Sequence, residues 1–206
     1  ADESVEQRLV VKYIKPDDII LELGGNIGRV SSILSTIIKD GNNLVVLECS
    51  PTSYKNLLEN RDNNGFKFNV EGKALSAQKL YQFGWNTYTE EERAKYSNSD
   101  KIVEIETITL DQIRNKYNLN FNTLVIDCEG AFYYIIQSFP SILHNVKKII
   151  IENDYPNWER KMFVEEILQK AGFETIEVIK LDEIYKQFHP DPNIRNHFYE
   201  VKIRKK

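Results

Sequence analysis

Apolar residues fall into short continuous runs separated by polar stretches: DIILEL at 18–23, LVVLE at 44–48, FKFNV at 66–70, TLVIDCE at 123–129 and KKIIIEN at 147–153. Runs of this length that do not alternate predict strands buried on both faces, as in a parallel sheet covered by helices. The intervening segments carry helical patterns, notably at 28–39, 51–60 and 130–138. Start signals agree: Pro51 after Ser50 suits a first helical position, and Thr109 with Gln112 forms a capping-box pattern opening TLDQIRNKYN. Residues 157–171 place Trp158, Met162, Phe163, Ile167 and Leu168 on one stripe, with Gly172 as a stop. Two further strand patterns, ETIEVIKL and HFYEVKIR, close the chain, joined by a loop with Pro190 and Pro192. Alternating strands and helices closed by a strand pair predict a doubly wound α/β sheet with an antiparallel edge.

No repeat, low-complexity tract or linker interrupts the 206 residues, which predicts a single domain over 1–206 with a helix at about 4–15. A formal net charge of -4 lacks the positive field that gathers nucleic acid or anionic lipid, so small or neutral substrates are expected. Cys49 and Cys128 lie far apart and fit neither a disulfide framework nor a zinc knuckle, which points to a reducing, cytoplasmic setting. The opening ADESVEQRLV does not read as a secretory or transit peptide, and no apolar run approaches a membrane span. Alanine rather than methionine at position 1 suggests a domain cut from a longer protein.

Between the first two elements lies ILELGGNIGRV at 20–30, with Glu22 two positions ahead of a glycine pair and a third glycine at 28. A strand-to-helix turn uses glycine where backbone must approach a ligand, and the helix start then presents unpaired N–H groups to it. The dinucleotide fingerprint G-x-G-x-x-G fails, because positions 24, 26 and 29 hold Gly24, Asn26 and Arg29. The phosphate loop G-x-x-x-x-G-K-[ST] fails too, with Lys67 at its first glycine and Ala74 after Gly72 and Lys73. What remains is E-x-G-G-N-x-G. Glu22 suits a cationic group and Asn26 a carboxylate, which fits S-adenosylmethionine, carrying ammonium, carboxylate and sulfonium, better than a pyrophosphate. Glu48 ends the second strand, where an acid accepts ribose hydroxyls. The bland alternatives are a solvated strand-end acid at Glu22 and an ordinary turn at Gly24, Gly25 and Gly28.

Asp127 and Glu129 are two apart, which sends both side chains to one side if the strand persists that far. Ligands of open α/β sheets sit beyond the carboxyl ends of the strands at the switch point, so this pair is expected beside the glycine turn. Glu152 ends the next strand and completes the cluster, unless it pairs with Lys147 or Lys148. An alcohol sheds its proton as it is methylated, so Asp127, Glu129 and Glu152 are the catalytic candidates, with Glu129 the better base if Asp127 holds the methionine ammonium. The same three acids raise the option of a divalent cation.

LELGGNIGRVSSIL, VVLECSP, KALS, TLDQI and LVIDCEGAFYYII occur in the order, and near the separations, of FkbM-type S-adenosylmethionine-dependent methyltransferases, which the chain resembles from about 18 to 155. IDCEG is the most specific piece and looks like the family's aspartate, any residue, glutamate, glycine signature. The chain departs at Glu22, where aspartate is common, at Cys49, which interrupts a glutamate-proline pair, and at Phe132, where an acid often follows. The resemblance implies a class I methyltransferase (Rossmann-like) fold, a mostly parallel seven-stranded sheet with an antiparallel terminal strand. It also implies O-methylation, often of a sugar hydroxyl in a glycan, glycoconjugate or natural product, by a protein that can be part of a larger glycan-modifying one. Residue reading and resemblance together assign Glu22, Gly24, Gly25, Asn26 and Gly28 to the methionine part and Glu48 with Cys49 to the ribose. Gly72, Lys73 and Ala74 take the adenine edge, and Asp127 is shared with the reacting end. The cofactor-binding half then spans about 17–76 and the acceptor-side half about 77–206.

Weaker candidates carry structural alternatives. Trp85 in FGWNTY suits stacking on a sugar face or adenine, though packing explains it as well. His189 in FHPDPN reads first as an exposed loop histidine, and His144 and His197 lack partner spacing. One of Tyr133 and Tyr134 is expected in the core and the other toward the cleft, and Cys128 is expected to be buried rather than nucleophilic. Rival functions are a nucleic-acid or protein methyltransferase of the same fold and a noncatalytic domain that binds the cofactor or a partner. Base-amine methylation would want an Asn or Asp with Pro-Pro and an aromatic after the fourth strand, where DCEG stands, and NDYP at 153–156 follows the wrong strand. A reductase would want Tyr-x-x-x-Lys, which is absent.

Overall fold

In the computed structural model, which describes residues 3–84, 86–94, 102–182, 189 and 191–205, the first third of the chain alternates helix and strand. Helix α1 (Glu3–Tyr13) leads to β1 (Ile20–Leu23), α2 (Arg29–Ile37), β2 (Leu44–Leu47), α3 (Pro51–Asn63) and β3 (Asn69–Glu71). A middle stretch supplies β4 (Ala74–Leu75), β5 (Leu80–Phe83), β6 (Asn86–Thr89), α4 (Glu90–Arg93), β7 (Val103–Ile105), β8 (Thr107–Ile108) and α5 (Leu110–Tyr117). The remainder gives β9 (Thr123–Ile126), α6 (Phe132–Ser138), β10 (Lys148–Glu152), α7 (Trp158–Lys170), β11 (Phe173–Ile179), α8 (Pro192–Arg195) and β12 (Tyr199–Arg204).

Seven strands form one sheet in the order β11-β12-β10-β9-β1-β2-β3, with β12 antiparallel to both neighbours and the other pairings parallel. The fold is the expected doubly wound one with an antiparallel terminal strand. Continuous apolar runs became strands because every residue of β1, β2, β9 and β10 is buried, and burial on both faces removes any need for alternation. Strand order reverses at β1, which pairs β2 on one side and β9 on the other, so Leu23, Leu47 and Ile126 end level with one another. A crevice beyond these three ends is where an open sheet of this kind receives ligand.

Capping chemistry sets the helix starts. The Thr109 hydroxyl accepts from the Gln112 backbone N–H while the Gln112 side chain accepts from the Thr109 N–H at 2.8 Å, and Ser50 caps α3 ahead of Pro51. No helix among the described residues is long and apolar enough to cross a membrane.

Several expectations are corrected. The 66–70 run yields a strand only at Asn69–Glu71, because Phe68 turns into the core at 1% exposure before the strand begins. The 123–129 run stops as a strand at Ile126. Helix α7 buries only part of the stripe read from its large apolar residues: Leu168 is buried and Trp158 and Ile167 pack against the core, but Met162 and Phe163 are exposed, and Lys161, Val164 and Glu165 face inward instead. That face meets β12, where Lys202 and Glu200 wait. Lys161 lies 2.8 Å from Glu165 and 3.1 Å from Glu200, and Lys202 lies 2.6 Å from Glu165 and 2.8 Å from Glu200, closing a buried ring of alternating charge. The antiparallel three-stranded meander β6-β5-β7 and the short parallel pair β4-β8 have no counterpart in the sequence reading.

Candidate active site

The turn after β1 is fastened to β2. Backbone N–H groups of Gly24 and Gly25 both donate to the Leu47 carbonyl at 3.0 Å, and the Asn26 N–H donates to Glu48 Oε2 at 2.8 Å. Glu48 Oε1 accepts from the Ser50 N–H at 2.7 Å, so each carboxylate oxygen is aimed by one backbone donor and keeps capacity for a further one. Burial raises the Glu48 carboxyl above its ordinary range, the two backbone bonds oppose that rise, and the Asp127 charge adds to it. Gly24 has φ +91, and a β-carbon there would lie 1.6 Å from the Asp127 carbonyl oxygen. Only glycine lets the β1 and β9 ends approach so closely.

The acids beyond β9 reach the site by a different route from the one expected. The strand ends before Asp127, and Glu129 takes φ +52, a left-handed conformation that a non-glycine residue adopts at a cost. Glu129 is therefore brought to the crevice by a turn rather than by strand alternation. Burial, and then the neighbouring Asp154 carboxyl, pushes its carboxyl up to about 8. The Glu152 carboxyl is raised well above its ordinary range by burial and then by the neighbouring Asp127. Tyr199 bonds Glu152 from β12. The ion pair considered for Glu152 does not form, because Lys148 sits at the other end of β10 and pairs with Asp18.

Glu22 is 2% exposed, and its Oε2 has no hydrogen-bond partner among the described residues. Burial, with the charges of Asp127 and Glu48 beside it, pushes its carboxyl up to about 8. It borders a small cavity of about 20 Å³ with Glu6, Gly24, Asn26 and Asp127. A larger cavity of about 390 Å³ opens over the strand ends. Its floor includes Gly24, Asn26, Glu48, Asp127 and Glu129, with Cys49, Lys73 and Ala74 at one side. Its far wall is made by the meander and α6, with Gln82, Thr87, Thr89, Tyr134, Gln137 and Ser138 among its side chains.

Of the residues expected at the cofactor, Gly25, Gly28 and Gly72 stand behind the wall of the large cavity. β-Carbons there would press on Val46, Leu57 and Tyr54 at 2.3, 2.5 and 3.0 Å, so these glycines serve packing. Glu22 lines the small cavity and not the large one, and Glu152 lines neither. Among the described residues no group of three or more His, Cys, Asp and Glu is arranged to hold a metal ion. Cys49 is pushed up to about 12 by burial and then by Glu48, and Cys128 is pushed up by burial, so neither is a thiolate. Tyr134 is the tyrosine that lines the cavity, and its hydroxyl donates to Glu92 at 3.2 Å. Trp85 lies outside the described residues.

His189 corrects another expectation. It is 5% exposed, with Nε2 2.8 Å from the Tyr155 carbonyl and 3.4 Å from Asp154 Oδ1. The proline-rich surroundings suggested a surface loop, but the Arg195 guanidinium holds the His189 carbonyl at 2.7 Å and draws the residue inward. Asp154 itself was missed. Its signal was available, an acid two positions past Glu152 at a strand end, the same spacing that singled out Asp127 and Glu129. The Gln, Ser and Thr residues of the far wall come from several short elements and share no pattern.

Comparison with known proteins follows the same lines. A family model described as the methyltransferase FkbM domain matches residues 22–175. No protein of curated function matches the sequence. Among solved structures, a protein of the NADB-Rossmann superfamily from Streptococcus agalactiae is 13% identical over 96% of this chain and 67% of its own, with a TM-score of 0.58. A precorrin-6y C5,15-methyltransferase from Geobacter metallireducens GS-15 is 12% identical over 100% of this chain and 90% of its own, with a TM-score of 0.57. A candidate tRNA (m1A22) methyltransferase from Streptococcus pneumoniae, in complex with S-adenosyl-L-methionine, is 14% identical over 98% of this chain and 74% of its own, with a TM-score of 0.54. At such identities these structures share the fold.

Proposed function

This chain belongs to the methyltransferase FkbM domain family and is an S-adenosylmethionine-dependent methyltransferase, and from that premise we propose that it methylates oxygen, at a sugar hydroxyl of a glycan, glycoconjugate or natural product. The observation that carries the reading is the far wall of the cavity. Gln82, Thr87, Gln137 and Ser138 offer neutral donors and acceptors, as a polyhydroxyl acceptor requires, and Lys73, the lining cation among the described residues, is held by Glu106 at 3.2 Å. A phosphate-bearing acceptor would call for free cations there.

The residues present fit the cofactor. A buried acid with an unpartnered oxygen at Glu22, a glycine cradle that a β-carbon would fill at Gly24, and a carboxylate oriented by two backbone donors at Glu48 together suit a cationic amino acid joined to a ribose. When bound, S-adenosylmethionine supplies a sulfonium methyl and a good leaving group. We assign Gly24, Asn26 and Asp127 to its methionine part with Glu22 behind them, Glu48 and Cys49 to the ribose, and Lys73 with Ala74 to the adenine edge. The division into a cofactor half at about 17–76 and an acceptor half at about 77–206 follows from these positions. Glu129 faces the same cavity from the acceptor side and takes the hydroxyl proton as the oxygen acquires the methyl group. Holding the two reactants in line contributes further, which is the work of the cavity walls.

The test incubates the full chain with S-adenosylmethionine and, in parallel, neutral oligosaccharides, RNA and protein. A methyl ether on a sugar, lost in Glu129→Gln while calorimetry still registers cofactor binding, supports the reading. Methyl groups found on a base or a protein side chain instead would overturn it.

A further inference from the structure

Besides Glu48, Asp127 and Glu129, the large cavity is lined by a carboxylate that the proposed reaction does not use, Glu92 of α4. A helix of four residues has no stability of its own, so α4 stands where its bonds fix it. Thr89 and Glu92 cap it reciprocally. The Glu92 N–H donates to the Thr89 hydroxyl oxygen at 3.3 Å, while Glu92 Oε2 accepts from the Thr89 N–H at 2.9 Å and lies 3.1 Å from Thr89 Oγ1. The Tyr81 hydroxyl donates to Glu90 at 2.6 Å and ties α4 to β5.

With Oε2 taken by the cap, the other oxygen of Glu92 receives the hydroxyl of Tyr134, which reaches it from α6 at 3.2 Å. Tyr134 lines the same cavity. Its one hydroxyl hydrogen goes to Glu92, so toward a ligand its oxygen can only accept, and Glu92 Oε1 keeps a second lone pair beside it. The two oxygens form a pair of acceptors, spaced much as neighbouring hydroxyls on a sugar ring are. Burial works to raise the Glu92 carboxyl, but the bonds from Thr89 and Tyr134 and the Arg160 charge outweigh it and hold it below its ordinary range. Arg160 lies over the rings of Tyr133 and Tyr134, 5.0 and 5.1 Å from their centroids, and does not line the cavity.

We propose that Glu92 and Tyr134 recognise the acceptor by taking two neighbouring sugar hydroxyls as donors, and that they restrict it to neutral or amino sugars while rejecting those with an acidic group at that position. The inference rests on the reading of the acceptor as a sugar. An ionised oxygen makes stronger bonds to hydroxyl donors than a neutral one, which favours a polyhydroxyl ligand here. A carboxylate, sulfate or phosphate brought to the pair would shed its hydration and meet like charge, and Lys73, the cation that lines the cavity, is already held by Glu106. In this assignment Glu129 takes the proton, and Glu92 with Tyr134 decides which molecule is presented to it.

The chain supplies its own control. Thr109 and Gln112 make the same reciprocal cap at α5, with glutamine in the place that Glu92 holds at α4. Glu92→Gln therefore keeps the cap through its carbonyl oxygen and turns the other end of the side chain from an acceptor into a donor.

Saturation-transfer NMR on the full chain loaded with S-adenosylhomocysteine tests the pair without turnover. The probes are the methyl glycosides of glucose, galactose and mannose and their uronate counterparts. The native chain is expected to bind a neutral glycoside at least about tenfold more tightly than its uronate. In Glu92→Gln the neutral affinity should fall by roughly tenfold and the gap to the uronate should narrow, with melting temperature and S-adenosylhomocysteine affinity unchanged. Tyr134→Phe, which keeps the ring, should weaken neutral binding in the same direction. Should Glu92→Gln melt early, Tyr134→Phe and the native comparison of neutral with acidic probes still decide. Neutral probes held equally well by the native chain and the folded variants, or uronates held as tightly as neutral probes by the native chain, would overturn the pair. Failure of the sugar reading looks different: no neutral glycoside would bind at all, and the pair would fall with it.

Discussion

Gly24 meets Asp127 with no room between them, since a β-carbon on Gly24 would fall 1.6 Å from the Asp127 carbonyl oxygen. The ends of β1 and β9 are locked together at this point, and the cavity floor is built on the contact. Gly24→Ala adds a clash with backbone and a strained φ of +91, so it is expected to cost about 1–3 kcal/mol of stability in urea denaturation. Calorimetry should register S-adenosylmethionine binding at least about tenfold weaker, the equivalent of roughly 1.4 kcal/mol. Native values for both would mean that the strand ends are not so joined.

Glu48 carries two backbone bonds, and the ribose assignment relies on its orientation. Glu48→Ala leaves the Asn26 and Ser50 N–H groups without this acceptor and removes the carboxylate, so affinity for S-adenosylhomocysteine should fall by about tenfold to a hundredfold, or roughly 1.4–3 kcal/mol. Glu48→Gln, which keeps one acceptor oxygen, should fall less. Equal losses in the two variants would assign the effect to shape rather than to hydrogen bonding.

Glu22 and Glu129 hold protons up to about 8 in the fold against an ordinary value of 4.5. Because the folded values are raised, their contribution to stability is complete below about 4.5 and is lost as pH climbs through 8. The cofactor-free chain should therefore melt at progressively lower temperature from mildly acidic to mildly alkaline pH, and Glu22→Gln should flatten that slope. A cationic ligand reverses the preference, so S-adenosylmethionine should raise the melting temperature more at alkaline than at acidic pH. Scanning calorimetry across the range decides it, and a slope of opposite sign would contradict the burial of these acids.

The buried ring of Lys161, Glu165, Lys202 and Glu200 joins α7 to β12. Lys202→Met strips one cation and leaves two carboxylates facing Lys161 alone, which should destabilise the chain by about 3–5 kcal/mol in urea denaturation. A change under about 1 kcal/mol would place the ring in solvent rather than in the interior.

The sheet was legible because its central strands are buried on both faces, which leaves an unmistakable apolar run in each of β1, β2, β9 and β10. The turn at Gly24, the strand-end acid Glu48 and the pair Asp127 and Glu129 were legible as well, although Glu129 arrives by a left-handed turn that no periodicity announces. Local pattern misled where distant partners decide. His189 looked like a surface residue among prolines until Tyr155 and Asp154 supplied its contacts. Lys161 and Glu165 lie off the apolar stripe read from the sequence, and they are buried because β12 presents opposite charges to them. The meander was invisible because LYQF, NTYT and VEI are too short and too mixed to show which face is buried.

Among the described residues the meander β6-β5-β7 pairs only with itself, while the strand ends that carry Gly24, Glu48 and Asp127 belong to the large sheet. Under the proposed reading, the acceptor-facing Gln82 and Thr87 stand on one ladder of hydrogen bonds and the residues assigned to the methyl donor at the ends of another. On that reading, replacing Gln82 and Thr87 should alter acceptor preference while cofactor affinity stays unchanged, so laboratory evolution for altered specificity should begin there.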